Sequence, residues 1–191
     1  MQVEDLDLAR QLSLAVTTET VSDLDLKLSI NFLEDAHALY IEQSSGKVLD
    51  WIDWFKHHHH TLDNKFSLVV SSKGKPPVVI GAAVYSYNFS SGRVVIHMIE
   101  HFKRVLPDSD LNKRMGFVAL TAAYVFAKTS GAAMLEIANP LRGVVSYYEY
   151  LGFTCTNSGT MEVSLENLKE RLDELKQYGG EHAYQSEDYD E

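Results

Sequence analysis

One cysteine, Cys155, is all the thiol the 191 residues hold. No internal disulfide can form, which fits a reducing compartment. No apolar run reaches the roughly 18 residues needed to cross a bilayer, so no membrane span is expected. The opening, MQVEDLDLARQ, is acidic where a secretory signal would be basic and then apolar, so none is expected. These absences point to a cytoplasmic protein with no membrane partner. Basic residues are scarce too: 17 Lys and Arg face 27 Asp and Glu, a formal net charge of −10. A nucleic-acid footprint needs a basic surface, so nucleic acid is not expected as a partner. An acidic surface favours cationic or amine-bearing partners instead. No internal repeat is visible.

What is present is ordinary globular composition, 45% hydrophobic and 23% charged, enough for one domain with a full core. The end of the chain differs. In GGEHAYQSEDYDE, Glu181, Glu187, Asp188, Asp190 and Glu191 face no Lys or Arg. Such a stretch has too little apolar surface to offset the entropy of ordering. The domain is therefore expected to span 1–178, with 179–191 a disordered acidic tail.

Periodicity supplies the elements. LDLARQLSLAV reads as a helix and DLDLKLSI as a half-buried strand. NFLEDAHALYIEQ reads as a helix with Phe32, Leu33, Ala36, Leu39 and Tyr40 on one stripe. KVLDWIDWFKHHHH reads as a second, with Val48, Leu49, Ile52 and Phe55 inward. KFSLVVSS, VVIGAAVYSYN and RVVIHMIEHF are strands joined by short turns, an antiparallel meander. Asp108, Ser109 or Asp110 is expected to cap a long helix carrying Leu111, Met115, Ala119, Ala122 and Phe126, ending at Lys128 and Gly131. AMLEIAN is a strand and LRGVVSYYEYL a helix stopped by Gly152. FTCTN and TMEVSL are strands joined at Asn157-Ser158-Gly159, and ENLKERLDELKQY is a last helix. The fold class is α/β (α+β): a single domain with a central mixed, mostly antiparallel sheet flanked by helices.

Near the end, Asn139 closes a strand, and the following helix ends in Tyr148-Glu149-Tyr150-Leu151-Gly152-Phe153. With the element order, this stretch resembles the GNAT superfamily, the acetyl-CoA-dependent N-acetyltransferases, over roughly residues 65–165, with 31–56 fitting the helix pair on the substrate side. Asn139 sits slightly earlier than the family spacing. Lys113-Arg114-Met115-Gly116-Phe117-Val118 is the nearest match to the family's pyrophosphate loop, Arg/Gln-x-x-Gly-x-Gly/Ala. It carries one of the two small residues and has Lys for Arg/Gln. A helix N-terminus with free N–H groups accepts phosphate on its own physics.

The resemblance implies that acetyl-CoA enters a V-shaped opening between the fourth and fifth strands. Its pyrophosphate would meet the chain from Asn112 through Lys113, Arg114, Met115 and Gly116 to Phe117, with Asn139 also on the cofactor. It further implies that Tyr148 lies near the thioester sulfur and protonates the departing thiolate. Glu100 on the fourth strand is the expected route for the amine proton, with His97 or His101 as substitutes. Regular alternation would put His97, Ile99 and His101 on one face and Met98, Glu100 and Phe102 on the other. The acceptor would be a small-molecule or peptide amine, and a homodimer is possible. The purely structural alternatives are a small residue at a helix crossing for Gly116, an amphipathic aromatic face for the tyrosines and a solvated strand end for Glu100.

Two other readings compete. HMIEH matches the His-x-x-Glu-His peptidase signature, but on a strand residues four apart lie about 13 Å apart, too far to share one zinc. Four adjacent histidines, His57–His60, suit a solvated helix end better than a metal site, so no metal is expected. A catalytically inactive GNAT-fold binding or structural module is the alternative to the enzyme.

Overall fold

In strand β3 (Val79–Asn88) every residue but the last is buried. Ala83, Tyr85 and Tyr87 join one core, and Ala82 and Val84 join another. A strand covered on both faces must bury both sets of alternating side chains. The computed structural model describes residues 3–44, 47–58, 64–102 and 105–181, and in them β3 lies inside a seven-stranded sheet. The strands are β1 (Leu28–Phe32), β2 (Lys65–Ser72), β3, β4 (Arg93–His101), β5 (Met134–Ile137), β6 (Thr154–Cys155) and β7 (Met161–Ser164). Their order is β1-β2-β3-β4-β5-β7-β6, and only the β4–β5 pair is parallel.

The larger core lies under helices α1 (Val3–Asp23), α4 (Met115–Thr129) and α6 (Leu165–Gln177). α1 buries Leu6, Ala9, Ser13, Thr17 and Val21, a helical stripe of mostly small residues. That lets it approach α4 closely enough for the Ser13 hydroxyl to donate to the Ala122 carbonyl at 2.7 Å. α4 is Ala-rich on the same account: it is wedged between α1, α6 and the sheet. Tyr85 fastens it from the sheet side, its hydroxyl donating to the Ala119 carbonyl at 2.8 Å. Short helix α5 (Val145–Tyr150), preceded by a 3-10 turn (Arg142–Val144), ends at Gly152, whose φ of +88° is a left-handed conformation that suits glycine.

The second core, on the other face, is built by α2 (Asp35–Gln43) and α3 (Trp51–His58). Here one expectation fails and another holds in part, Leu49 and Phe55 packing against this core as the periodicity predicts. Phe32 belongs to β1, and α2 buries Ile41 while Leu39 and Tyr40 stay exposed. α3 starts at Trp51 and turns Trp51 and Trp54 inward, leaving Val48 exposed. The large indoles won the inward positions. Burying an aromatic of about 200 Å² at roughly 25 cal/mol per Å² is worth about 5 kcal/mol before entropy, more than an aliphatic residue offers. The side chains of His57–His60 and residues 182–191 lie outside the described residues. Cys155 is exposed.

The packed chain runs past the expected boundary at Tyr178. Arg114 Nε donates to the Gly179 carbonyl at 2.8 Å, Gly180 is buried against the Phe117 ring, and Glu181 pairs with Arg114. A Cβ on Gly180 would meet that ring at 2.8 Å. Truncation after Tyr178 is therefore expected to lower the melting temperature by several degrees, at about 2–4 °C per kcal/mol for a domain of this size. The ion pair is half exposed and contributes little of this; the lost cover of Phe117 contributes most. An unchanged melting temperature would show that the segment adds no stability.

Candidate functional site

β4 and β5 pair from Arg93 with Met134 to Ile96 with Ile137. One further bond, Ala138 N–H to the Ile96 carbonyl at 3.2 Å, ends the contact. Pro140 has no N–H to extend the ladder. The chain turns away into the 3-10 turn and α5, while β4 continues to His101 on β3. The strands part, and a cavity of about 90 Å³ opens between them. Its walls come from Ile96–Ile99, Ile137, Asn139–Leu141, Val144, Tyr148 and Leu49.

At the same level β4 slips on β3. Val84 faces Met98, but Tyr85 faces Ile96, so His97 is the extra residue of a bulge. Regular alternation, which would put His97 opposite to Glu100, therefore does not hold. His97 Nε2 lies 2.7 Å from the Ser86 hydroxyl, on the face of Val84 and Met98. His101 stays on the other face, 3.4 Å from Ser109, beside Leu111 and Met115. The two histidines of HMIEH thus point to opposite sides of the sheet.

Glu100 is 7% exposed and is not a wall of the cavity. Its carboxylate accepts from the Val48 N–H, from the Leu49 N–H at 3.2 Å and from the Trp51 indole N–H at 2.6 Å. It holds the turn that leads into α3, and that turn lays Leu49 over the cavity. Sequence reasoning could not see this, because the donors lie about fifty residues away.

Tyr148 lies in α5 on the cavity wall, packed edge-on to Phe153 with centroids 5.6 Å apart. Burial pushes its phenol up to about 12. Burial raises Tyr147 and Tyr85 as well. Tyr150 is on the rim, with Arg171 over its ring at 5.9 Å. Tyr147 is packed: its ring lies against Gly116, where an added Cβ would come within 2.8 Å of ring carbons.

The remaining loop residues gather at the start of α4. The helix begins later than the expected caps, with Arg114 at the N-cap and no side-chain cap. Lys113 is exposed, in a left-handed conformation at φ +60°. The Asn112 N–H donates to the Ser109 carbonyl at 2.9 Å. Met115 and Phe117 turn their side chains into the core, Met115 against Gly81. Only their backbone could face a phosphate. Arg114 is turned to the carbonyls of Gly179 and Asp110 and to Glu181. Asn139 is separate from this group and belongs to the cavity with Tyr148. A larger hollow of about 340 Å³ between α2 and α3, lined by Asp35, Leu39, Glu42 and Phe55, shares no wall with the cavity. No described helix is long and apolar enough to cross a membrane.

No family model matches the sequence, and a comparison with curated proteins gives no match. Solved structures do match. The chain is similar to a KacTA–DNA complex at 16% identity and a TM-score of 0.55, covering 77% of this chain and 99% of that one. It is similar to spermidine N-acetyltransferase from Vibrio cholerae in complex with CoA and spermine, at 12% identity and 0.53, covering 75% and 98%. It is also similar to a mutant AtaT toxin bound to the C-terminus of the antitoxin AtaR and acetyl-CoA, at 11% identity and 0.50, covering 76% and 98%. These findings correct the expectation that nucleic acid is excluded. One of these structures is a complex with DNA and another holds an antitoxin segment, so an acidic net charge does not rule out macromolecular partners. With the sheet order, the parting of β4 and β5 and the helix that follows each of them, the likeness establishes that this chain has the GNAT acetyltransferase fold.

Proposed function

We propose that the protein transfers an acetyl group from acetyl-CoA to an amine. The observation that carries this is the convergence of Tyr148, Asn139 and His97 on one cavity where β4 and β5 part. The Vibrio cholerae neighbour, solved with CoA, and the AtaT neighbour, solved with acetyl-CoA, support the cofactor. The uncapped first turn of α4 fits a pyrophosphate at the N–H groups of Met115, Gly116 and Phe117, with Lys113 adding charge at the surface. Bound acetyl-CoA would supply a thioester whose C–S bond breaks as the new C–N bond forms. Tyr148 gives its phenolic proton to the departing sulfur; its raised pKa keeps that proton in place across the physiological range. His97, not Glu100, is the basic group on the wall, and it takes the proton the amine nitrogen loses.

One observation favours the second reading, a catalytically silent binding module: Tyr147 covers Gly116, and Glu181 holds Arg114. Adding acetyl-CoA at 100 times a micromolar Kd is expected to raise stability by about 2.7 kcal/mol. A melting curve that does not move with acetyl-CoA would decide for a module that has lost its cofactor.

Tyr148→Phe is expected to keep fold and cofactor affinity while kcat falls about 100- to 10,000-fold. Tyr150→Phe, on the rim, should be nearly silent. The wild-type rate should not fall through loss of this proton until the pH rises toward about 12, because only the protonated phenol can donate. Full activity in Tyr148→Phe would remove it from the mechanism.

His97→Gln and Glu100→Gln separate the two proton routes. His97→Gln should lower kcat about 100-fold or more at an unchanged melting temperature. Glu100→Gln weakens three hydrogen bonds to one buried carboxylate, so a loss of about 1–3 kcal/mol is expected, with near-normal kcat per folded molecule. The opposite pattern would restore Glu100 as the base.

A further inference from the structure

We infer that the acceptor is an amine carried on an apolar body that bears no second positive charge. This rests on the acetyl-transfer reading and names the substrate class for that same cavity. Among the described residues, the only polar side chains on its walls are those of His97, Asn139 and Tyr148. Leu49, Met98, Pro140, Leu141 and Val144 are among the rest, and no carboxylate among the described residues lines it. Four carboxylates adjoin wall residues in sequence and none is a wall: Asp50 accepts from the Asp53 N–H, Glu136 pairs with Arg93, Glu149 is exposed, and the fourth is Glu100. It is turned away beneath the Val48–Trp51 turn, and its accepting positions are taken up by three N–H donors. The apolar character continues outward. Leu141 is 49% exposed, and Val48, next to Leu49, is 78% exposed.

These walls act on an entering amine in two ways. Transfer of an ammonium out of water without a counter-charge is costly, so the pocket selects the neutral, nucleophilic form. A single amine can meet that demand by leaving its extra proton in water before it enters, which keeps His97 free for the proton lost during transfer. A diamine or polyamine would carry a second ammonium into walls that offer it no carboxylate. An alkyl or aryl body, by contrast, gains about 25 cal/mol for each Å² it buries there. The site therefore differs in kind from one built for a polycation such as the spermine held by the Vibrio cholerae neighbour.

A matched pair of probes tests this. n-Hexylamine and 1,6-diaminohexane share a chain length and differ by one ammonium. With acetyl-CoA, n-hexylamine is expected to have a kcat/KM roughly 10- to 100-fold above the diamine. Calorimetry on the CoA-saturated protein should show the same preference in binding, independently of turnover. Leu141→Asp places a carboxylate at a half-exposed wall position that can accept it without unfolding, and should narrow or reverse the preference. Equal or better use of the diamine by the unmodified protein, or acetylation of spermidine but not hexylamine, would overturn the inference and leave acetyl transfer standing. If acetyl-CoA neither shifts the melting curve nor is consumed with any of these amines, the acetyl-transfer reading itself fails and the inference falls with it.

Discussion

The four-rung parallel ladder between β4 and β5 positions everything chemical in this chain. A parallel pair needs a crossover, and here the crossover is α4. β4 ends at the same end of the sheet where α4 begins. β5 also ends there, and α5 begins beyond it. One topological requirement thus brings the parting of two strands, the positive ends of two helices and Asn139 to one edge of the molecule. Had the ladder continued for its full possible length, β5 would have covered His97 and Ile99, and no cavity would exist. The ladder stops because Pro140 cannot donate, and the bulge at His97 bends β4 at the same level.

Much of this was legible in the sequence, and what was not has a common cause. The meander, α4, α5 and the left-handed Gly152 follow from period and turn chemistry, which are local. Tyr148 was legible because a motif fixes its place on a helix end relative to a strand. The bulge was not, since it is a property of the register between β3 and β4, and either strand alone reads as regular. The bonds Glu100 makes were not legible for a similar reason. A carboxylate at a strand end looks solvated until the turn at Val48–Trp51 arrives to bond it. The inward face of α2 failed and that of α3 held only in part, for Leu49 and Phe55, because periodicity does not say which stripe wins when both contain apolar residues. Gly179–Glu181 were read as tail from composition, which counts apolar area and misses a backbone carbonyl that meets an arginine.

The start of α4 carries two competing demands. A phosphate site needs open backbone and free positive charge, whereas here Tyr147 lies on Gly116 and Arg114 is turned to Glu181. The magnitudes decide which yields. An ion pair half open to solvent contributes about 0–1 kcal/mol, so a phosphate with several N–H donors can outcompete Glu181 for that region. Tyr147 is different. Its ring is packed, and Gly116 is small because that ring needs the space. The glycine in this loop therefore serves packing in the structure as it stands. A cofactor seated on its backbone requires the ring to shift, and the helix end itself has no need to change.

Glu100 and His97 show how one strand divides its polar residues between structure and chemistry. A buried carboxylate is stable only with donors around it, and three N–H groups from one turn meet that need. The same bonds that secure α3 hold the carboxylate under the Val48–Trp51 turn, and Glu100 is not a wall of the cavity. The bulge then gains a function. By turning His97 onto the face that Met98 occupies, it supplies a basic side chain to a wall from which the carboxylate has been withdrawn. An imidazole leaves that wall neutral when the proton departs, whereas a carboxylate there would leave it negative. The polar character of that wall follows from a one-residue slip between β3 and β4.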